Sequence, residues 1–353
     1  MRVAIEAAPL SLSSGGLARY TSELGLALAR GYPDDEFFLI SDQPFRIPEG
    51  APANLKQGGG PRSAVERRWW LWGIDRELSR LHADLVHGPD FAVPYLPRRP
   101  SVLTLQDLSP WMDERWHHAA DRVRRRTPVL LELGIATMVI TPSEVVRKQA
   151  IERFRLRPDR IVATPYAAAS WFRPEKKSGP EPAPAYFLFV STLEPRKNVP
   201  ALVDAWRHVR RRHSIDLVIV GRRRADFAPL AEEPGLRLLG EVPDAELPAL
   251  YSGALAFVFP SFYEGFGLPV LEAMQSGAPV IASHAVSEWA GDAAIYAGTS
   301  EELAQAMHHA IERPEWLAEF RARSLDRAQL FSWDRTARLT HEVYQEARKR
   351  FAG

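Results

Sequence analysis

The sequence contains no cysteine, which excludes disulfide frameworks, thiolate metal centres and cysteine nucleophiles. No stretch of about 18 uncharged apolar residues occurs, so no transmembrane helix is expected. Neither sign of charge is in excess: 45 Lys and Arg stand against 44 Asp and Glu, a formal net charge of +1. A general polyanion binder carries a basic excess, so nucleic acid is not an expected partner. The opening MRVAIEAAPL is too short and too acidic for an export signal and reads as a first buried strand. The expected location is therefore the cytoplasm, with peripheral contact at the inner face of the membrane as an open alternative.

What is present is ordinary material for soluble globular domains: 353 residues, 46% of them hydrophobic and 25% charged. That length favours two domains. Short apolar runs alternate with amphipathic segments, the pattern of parallel sheets covered by helices. In the first half, strands are expected at 3–7, 37–40, 85–87, 101–104, 138–140 and 161–164, with helices at 17–30, 64–81, 119–133 and 144–154. The stretch PEKKSGPEPAPA, 174–185, is dense in proline and charge and reads as a linker. The alternation then restarts, with strands at 186–190, 217–220, 255–259 and 280–282 and helices near 199–211, 244–251 and 267 onward. The expected fold is α/β, with two Rossmann-like domains at 1–178 and 179–332 facing a central cleft at the carboxyl ends of their strands. The amphipathic segment 333–353 is expected to cross back and brace the first domain.

The strongest local signal is FVFPSFYEGFGLPVLEAMQSGAPVIA, 257–282. A buried strand ends, a loop follows, and Gly265 and Gly267 let the backbone approach a ligand closely. A helix then begins near Leu268, with Pro269 in the first turn, where a missing N–H costs least. Free N–H groups and the positive helix end make that turn an anion site. Glu264 in the loop and Glu272 in the helix can face one ligand from two directions. Taken singly, Glu272 could equally complement the helix dipole and Glu264 be a solvated loop residue. The shared placement of the glycines and the proline argues for the ligand.

This string resembles the paired-glutamate signature of the family-4 retaining glycosyltransferases, which have two Rossmann-like domains in the B-type glycosyltransferase fold. The resemblance runs through SSGGLARYTSELGLAL, ADLVHGPDFAVPY, VLTLQDLSP, YFLFVSTLEPRKNVPALVDAW, LRLLGEVPDAELPALYSGA and SEWAGDAAIY, in that order. It implies a nucleoside diphosphate sugar as donor, a glycan, lipid-linked or small-molecule hydroxyl as acceptor, and retention at the anomeric carbon. Gly15 and Gly16 would bring a backbone N–H to the donor diphosphate. Arg196 and Lys197 would meet the same diphosphate, one offering forked hydrogen bonds and the other a compact charge. Two cations at a helix start oppose the helix dipole, which favours that use over a solvated turn. Gly221 and Arg222 would lie beside the nucleotide, and Val242 would bond the base through its backbone. Gly265, Phe266, Gly267 and Leu268 would line the donor, with Glu264 on the sugar and Glu272 on the ribose.

Gln106 departs from the pattern, because many relatives have histidine at this position. Glutamine donates and accepts hydrogen bonds but carries no proton or charge near neutral pH, so acid/base chemistry is not expected there. Either it retains contact with a sugar hydroxyl or activity is reduced.

The clusters Arg67-Arg68-Trp69-Trp70, 111–118 and 122–126 invite a glycan or membrane-surface reading; the alternative is core tryptophans with solvated arginines. His87, His117 and His118 lack metal-ligand spacing with carboxylates, so no metal or other cofactor is expected. A hexosyltransferase, with mannose as the favoured sugar, is the leading expectation. The alternatives are a non-catalytic or degenerate nucleotide-sugar-binding protein and a nucleotide-sugar epimerase or hydrolase.

Overall fold

The structure, a computed structural model, describes residues 1–12, 15–117, 120–175 and 184–352. The chain divides into two units, the first formed by 1–166 together with 332–353 and the second by 167–331.

The first unit is built on seven parallel strands: β1 (Arg2–Glu6), β2 (Glu36–Ile40), β3 (Leu55–Gln57), β4 (Leu85–Gly88), β5 (Ser101–Thr104), β6 (Met138–Thr141) and β7 (Ile161–Ala163), ordered β3-β2-β1-β4-β5-β6-β7. Every residue of β4, β5 and β6 is buried. Helices on both faces explain why these strands read as continuous apolar runs rather than alternating ones. The order reverses between β1 and β4, where open α/β sheets place their ligands beyond the carboxyl ends of the strands.

The expected helix at 64–81 is instead a wide π turn, Trp69–Gly73, running into a helix at Ile74–Arg80. The turn drives Trp69 into the core beside Ala4, Phe38 and Ile40. It also brings the Gly73 backbone so close to the Glu66 carbonyl that a Cβ would lie 2.3 Å from its oxygen. The expected helix at 119–133 is found at Asp121–Glu132, and Ala119 lies outside the described residues.

The last helix, Trp333–Ala352, belongs to the first unit. The Tyr344 hydroxyl lies 2.7 Å from His87 Nδ1, and His87 Nε2 lies 2.7 Å from Thr104 Oγ1. Burial pushes His87 down to about 3, so the imidazole is neutral and bridges β5 to the helix. His341 stacks on Tyr32 at 3.5 Å between ring centres and lies 2.7 Å from Asp35 Oδ2.

The second unit has six parallel strands: β8 (Tyr186–Val190), β9 (Asp216–Val220), β10 (Leu236–Gly240), β11 (Ala256–Phe259), β12 (Val280–Ala282) and β13 (Ala294–Tyr296), ordered β10-β9-β8-β11-β12-β13. The order reverses between β8 and β11. This unit begins before the expected boundary at 178 because the chain after Tyr166 already packs on it. The Phe172 ring meets Tyr251 edge-on, and the Gln275 amide donates to the carbonyls of Ala169 at 2.9 Å and Phe172 at 2.8 Å. Of the expected linker, residues 176–183 lie outside the described residues. Among the described residues, no helix is long and apolar enough to cross a membrane.

Candidate functional site

The reversal point of the second sheet carries a buried charge cluster. After β8 the chain makes a short turn, Pro195–Lys197, and Asn198 adopts a left-handed conformation (φ 53°, ψ 35°) before the helix Val199–Arg210. Arg196 and Lys197 are buried, with Lys197 only 6% exposed, so a solvated basic turn is ruled out. Lys197 Nζ donates to Glu264 Oε1 at 2.6 Å, and Arg196 Nη1 lies 3.3 Å from Glu264 Oε2. Arg196 also donates to the Tyr263 carbonyl at 2.7 Å and to Glu194 Oε1 at 2.8 Å. Arg224, beyond β9, donates to the other Glu194 oxygen at 2.8 Å and pairs with Asp226. Burial pushes the Glu264 carboxyl up, but Lys197 and Arg196 outweigh it and hold the group below its ordinary value. The carboxylate is therefore ionised and engaged by both cations.

The sequence motifs named Lys197 and Glu264 separately; the fold brings them together across 67 residues. Glu194 and Arg224, which complete the network, received no site role from sequence. Glu194 sits inside the EPRKN string and was the signal available.

Gly267 is in the left-handed region (φ 84°), and the helix Leu268–Gln275 starts directly after it, with proline in its first turn. Gly265 lies in the loop between Glu264 and that helix start. The Phe266 ring stacks on Trp289 at 4.9 Å and meets Phe331 edge-on, and Leu268 is buried. Their side chains therefore pack the unit, leaving only backbone for a ligand. Glu272 is 0% exposed and accepts from the Tyr251 hydroxyl at 3.1 Å. The two glutamates thus differ: Glu264 belongs to the charge cluster, while Glu272 is fully buried and bonded to Tyr251.

Beyond β9 and β10 lies an open cavity of about 430 Å³ lined by Leu193, Ile219, Gly221, Arg222, Leu238 and Glu241, among others. Gly221 has φ 136°, and a Cβ there would lie 1.9 Å from the Ser191 carbonyl oxygen, so the strand end tolerates only glycine. Val242 is half-buried directly after Glu241. Its lining mixes apolar side chains with a few charged groups.

In the first unit, Gly15 (φ 116°) opens the helix Gly16–Gly31 after β1. Ser13 and Ser14, in the same motif, lie outside the described residues. Gln106 follows β5; its amide donates to the Pro89 carbonyl at 2.7 Å and its oxygen accepts from Tyr166 at 2.8 Å. It therefore ties the turn after β4 to the end of the unit. Sequence reading missed the carboxyl groups gathered nearby. Burial, with Asp107 adding and Arg126 opposing, raises Asp90 to about 6. Burial raises Glu6, at the end of β1, to about 8, with Asp42 and Asp90 adding to the shift. Trp69 is core, and Trp111 packs edge-on against Phe91 and Phe154, so these tryptophans are structural. His117 Nε2 lies 2.6 Å from Ser109 Oγ, and His118 lies outside the described residues.

The family model described as Glycosyltransferase Family 4 matches residues 14–167, and that described as Glycosyl transferases group 1 matches 184–313. The chain is 31% identical to O-antigen chain mannosyltransferase B of Escherichia coli over 98% of its own length and 100% of the relative's. Sucrose-phosphate synthase from Thermosynechococcus elongatus has the same fold, with TM-score 0.76 at 19% identity over 98% of both chains. Anabaena HepE, solved in complex with UDP and glucose, superposes with TM-score 0.71 at 19% identity over 98% of this chain and 100% of its own. With two Rossmann-like units, the paired glutamates and a full-length relative, the chain belongs to the family-4 glycosyltransferases of the B-type fold.

Proposed function

We propose that this glycosyltransferase moves mannose, with retention, from a nucleoside diphosphate donor to a hydroxyl of a glycan, free or lipid-linked. The observation that carries the reading is the buried Arg196–Lys197–Glu264 cluster at the reversal point of the second sheet. The diphosphate binds at these cations and at the N-terminus of the helix Leu268–Gln275. The base occupies the cavity beside Gly221, Arg222 and Val242. Mannose is favoured by the name of the Escherichia coli relative.

Retention follows a same-face route. The acceptor oxygen bonds to the anomeric carbon as the bond to the diphosphate oxygen breaks. The leaving diphosphate takes the acceptor proton, and its growing negative charge is met by Arg196 and Lys197. Glu264 is already engaged by two cations, which makes it a poor covalent nucleophile and a good holder of cation geometry. Glu272 is fully buried and bonded to the Tyr251 hydroxyl, so contact with the ribose would require its burial to open. Gln106 orients the turn bearing Asp90 rather than moving a proton.

The test is direct. Uridine, guanosine and adenosine diphosphate hexoses are titrated into the protein, the binder is supplied with acceptor, and the anomeric configuration of the product is read by NMR. Transfer with retention from one mannosyl donor is the expected result. An inverted product overturns the route, and donor binding without turnover identifies a degenerate transferase.

The helix Asp121–Glu132 exposes Arg122, Arg125 and Val129, with Leu133 exposed just beyond it, and supports peripheral contact with an anionic membrane surface. Co-sedimentation with anionic but not neutral vesicles is the expected outcome.

A further inference from the structure

We propose that the second unit carries a divalent transition-metal site, formed by His213, His308 and Glu312, that takes a zinc-like ion. The three residues lie far apart in sequence, which is why spacing does not announce them: His213 precedes His308 by 95 positions. The fold brings them together where the helix Ser300–Glu312 packs along the helix Val199–Arg210 and the turn that follows it.

His213 Nε2 and His308 Nδ1 face each other at 3.1 Å, and Glu312 Oε1 lies 3.9 Å from the same His213 nitrogen. One ligand atom from each of the three lies within 4.8 Å of the others. In a tetrahedral site with bonds of about 2.0–2.1 Å, ligand atoms stand roughly 3.3 Å apart. The two imidazole nitrogens already have that spacing. His308 and Glu312 share a helix face four residues apart, and the Glu312 side chain is largely exposed, so a small rotation closes the third corner. Water completes the tetrahedron. Two nitrogens and one oxygen select a borderline ion over calcium or magnesium, which prefer all-oxygen sets. One carboxylate also offsets half of the charge of a divalent ion.

The position assigns the ion a structural part. The helix Val199–Arg210 begins one residue after Lys197, past Asn198, and its 12 residues span about 18 Å. The ion would clamp the far end of that helix to its neighbour and leave transfer chemistry to the near end.

The bland reading is a hydrogen bond between two histidines with an exposed glutamate nearby, and the experiment separates the two. Tag-free protein, stripped with a chelator, is titrated calorimetrically with Zn²⁺, and Co²⁺ is added separately for absorption spectra. Expected are one ion per chain, tetrahedral Co²⁺ bands and a metal-dependent rise in Tm. His213→Gln and His308→Gln should each weaken binding about tenfold or more. His309→Gln serves as a control because His309 packs against Trp316 instead. Circular dichroism confirms that each variant is folded. No saturable binding, or equal affinity in the two ligand variants and wild type, overturns the site.

Discussion

The two units use the same device, a parallel sheet whose order reverses beside its first strand, yet they equip the strand ends differently. At the end of the second sheet, cations and carboxylates are buried together and locked in pairs: Arg196 and Lys197 on Glu264, Arg196 and Arg224 on Glu194. At the end of the first sheet, Glu6 and Asp90 are raised toward neutrality, and Gln106 is an uncharged hydrogen-bonding group between Pro89 and Tyr166. One scaffold thus supports paired cations and carboxylates at one sheet end and, at the other, carboxyls raised by burial beside an uncharged amide. The difference lies in the loops, as expected when function is grafted onto a common fold.

Four changes would break or sharpen that contrast. Replacing Arg196 and Lys197 together with alanine removes both cations of the proposed diphosphate site. Transfer should fall about 10³-fold or more, since a single positioned donor is worth 10²–10³; near-normal turnover in a steady-state assay would remove them from the mechanism. Glu264→Gln keeps the shape but leaves two buried cations without their shared carboxylate. A loss of about 3 kcal/mol in the stability of the second unit is expected in denaturant unfolding, with turnover also reduced. Gln106→Ala should cost about 1–2 kcal/mol through the lost bonds to the Pro89 carbonyl and the Tyr166 hydroxyl. Its kcat should keep the wild-type pH profile, whereas a shifted profile would show that position 106 does take part in proton transfer.

The smallest effect is Glu6→Gln, which retains an acceptor for the Ala8 N–H. A carboxyl raised in the folded state binds its proton more tightly there than when unfolded. It therefore costs nothing below the unfolded value and destabilises increasingly as pH climbs toward the folded one. With Glu6 at about 8, the glutamine variant should gain a few degrees in Tm at about pH 8 and nothing near pH 4. A gain independent of pH would show that Glu6 is not raised.

Much of this was legible in the sequence, and the failures have physical causes. The strands lining both reversal points are short apolar runs with both faces covered, so they announced themselves. Two edge strands did not, although the edge strand β7 was expected: β3 buries only Leu55, and β10 is exposed over four of its five residues. The helices Ser300–Glu312 and Pro314–Ala328 were missed although Thr299 and Glu302 form a capping box, a signal visible in the sequence. The charge cluster was half legible. Its cations and Glu264 stood in recognisable motifs, but that they pair, and that Glu272 is sealed under Tyr251, depends on tertiary packing alone.

The return of the last helix to the first unit has a consequence for how the molecule is made. On the ribosome, the first 166 residues emerge early but lack the segment that supplies Tyr344 to His87 and His341 to Asp35. The whole second unit is synthesised before that segment appears. The later-made unit is thus the first able to finish folding, while the earlier-made one waits with the neighbourhood of His87 and Tyr20 uncovered. A break within the final helix would harm the first unit rather than the second, which immediately precedes that helix in sequence.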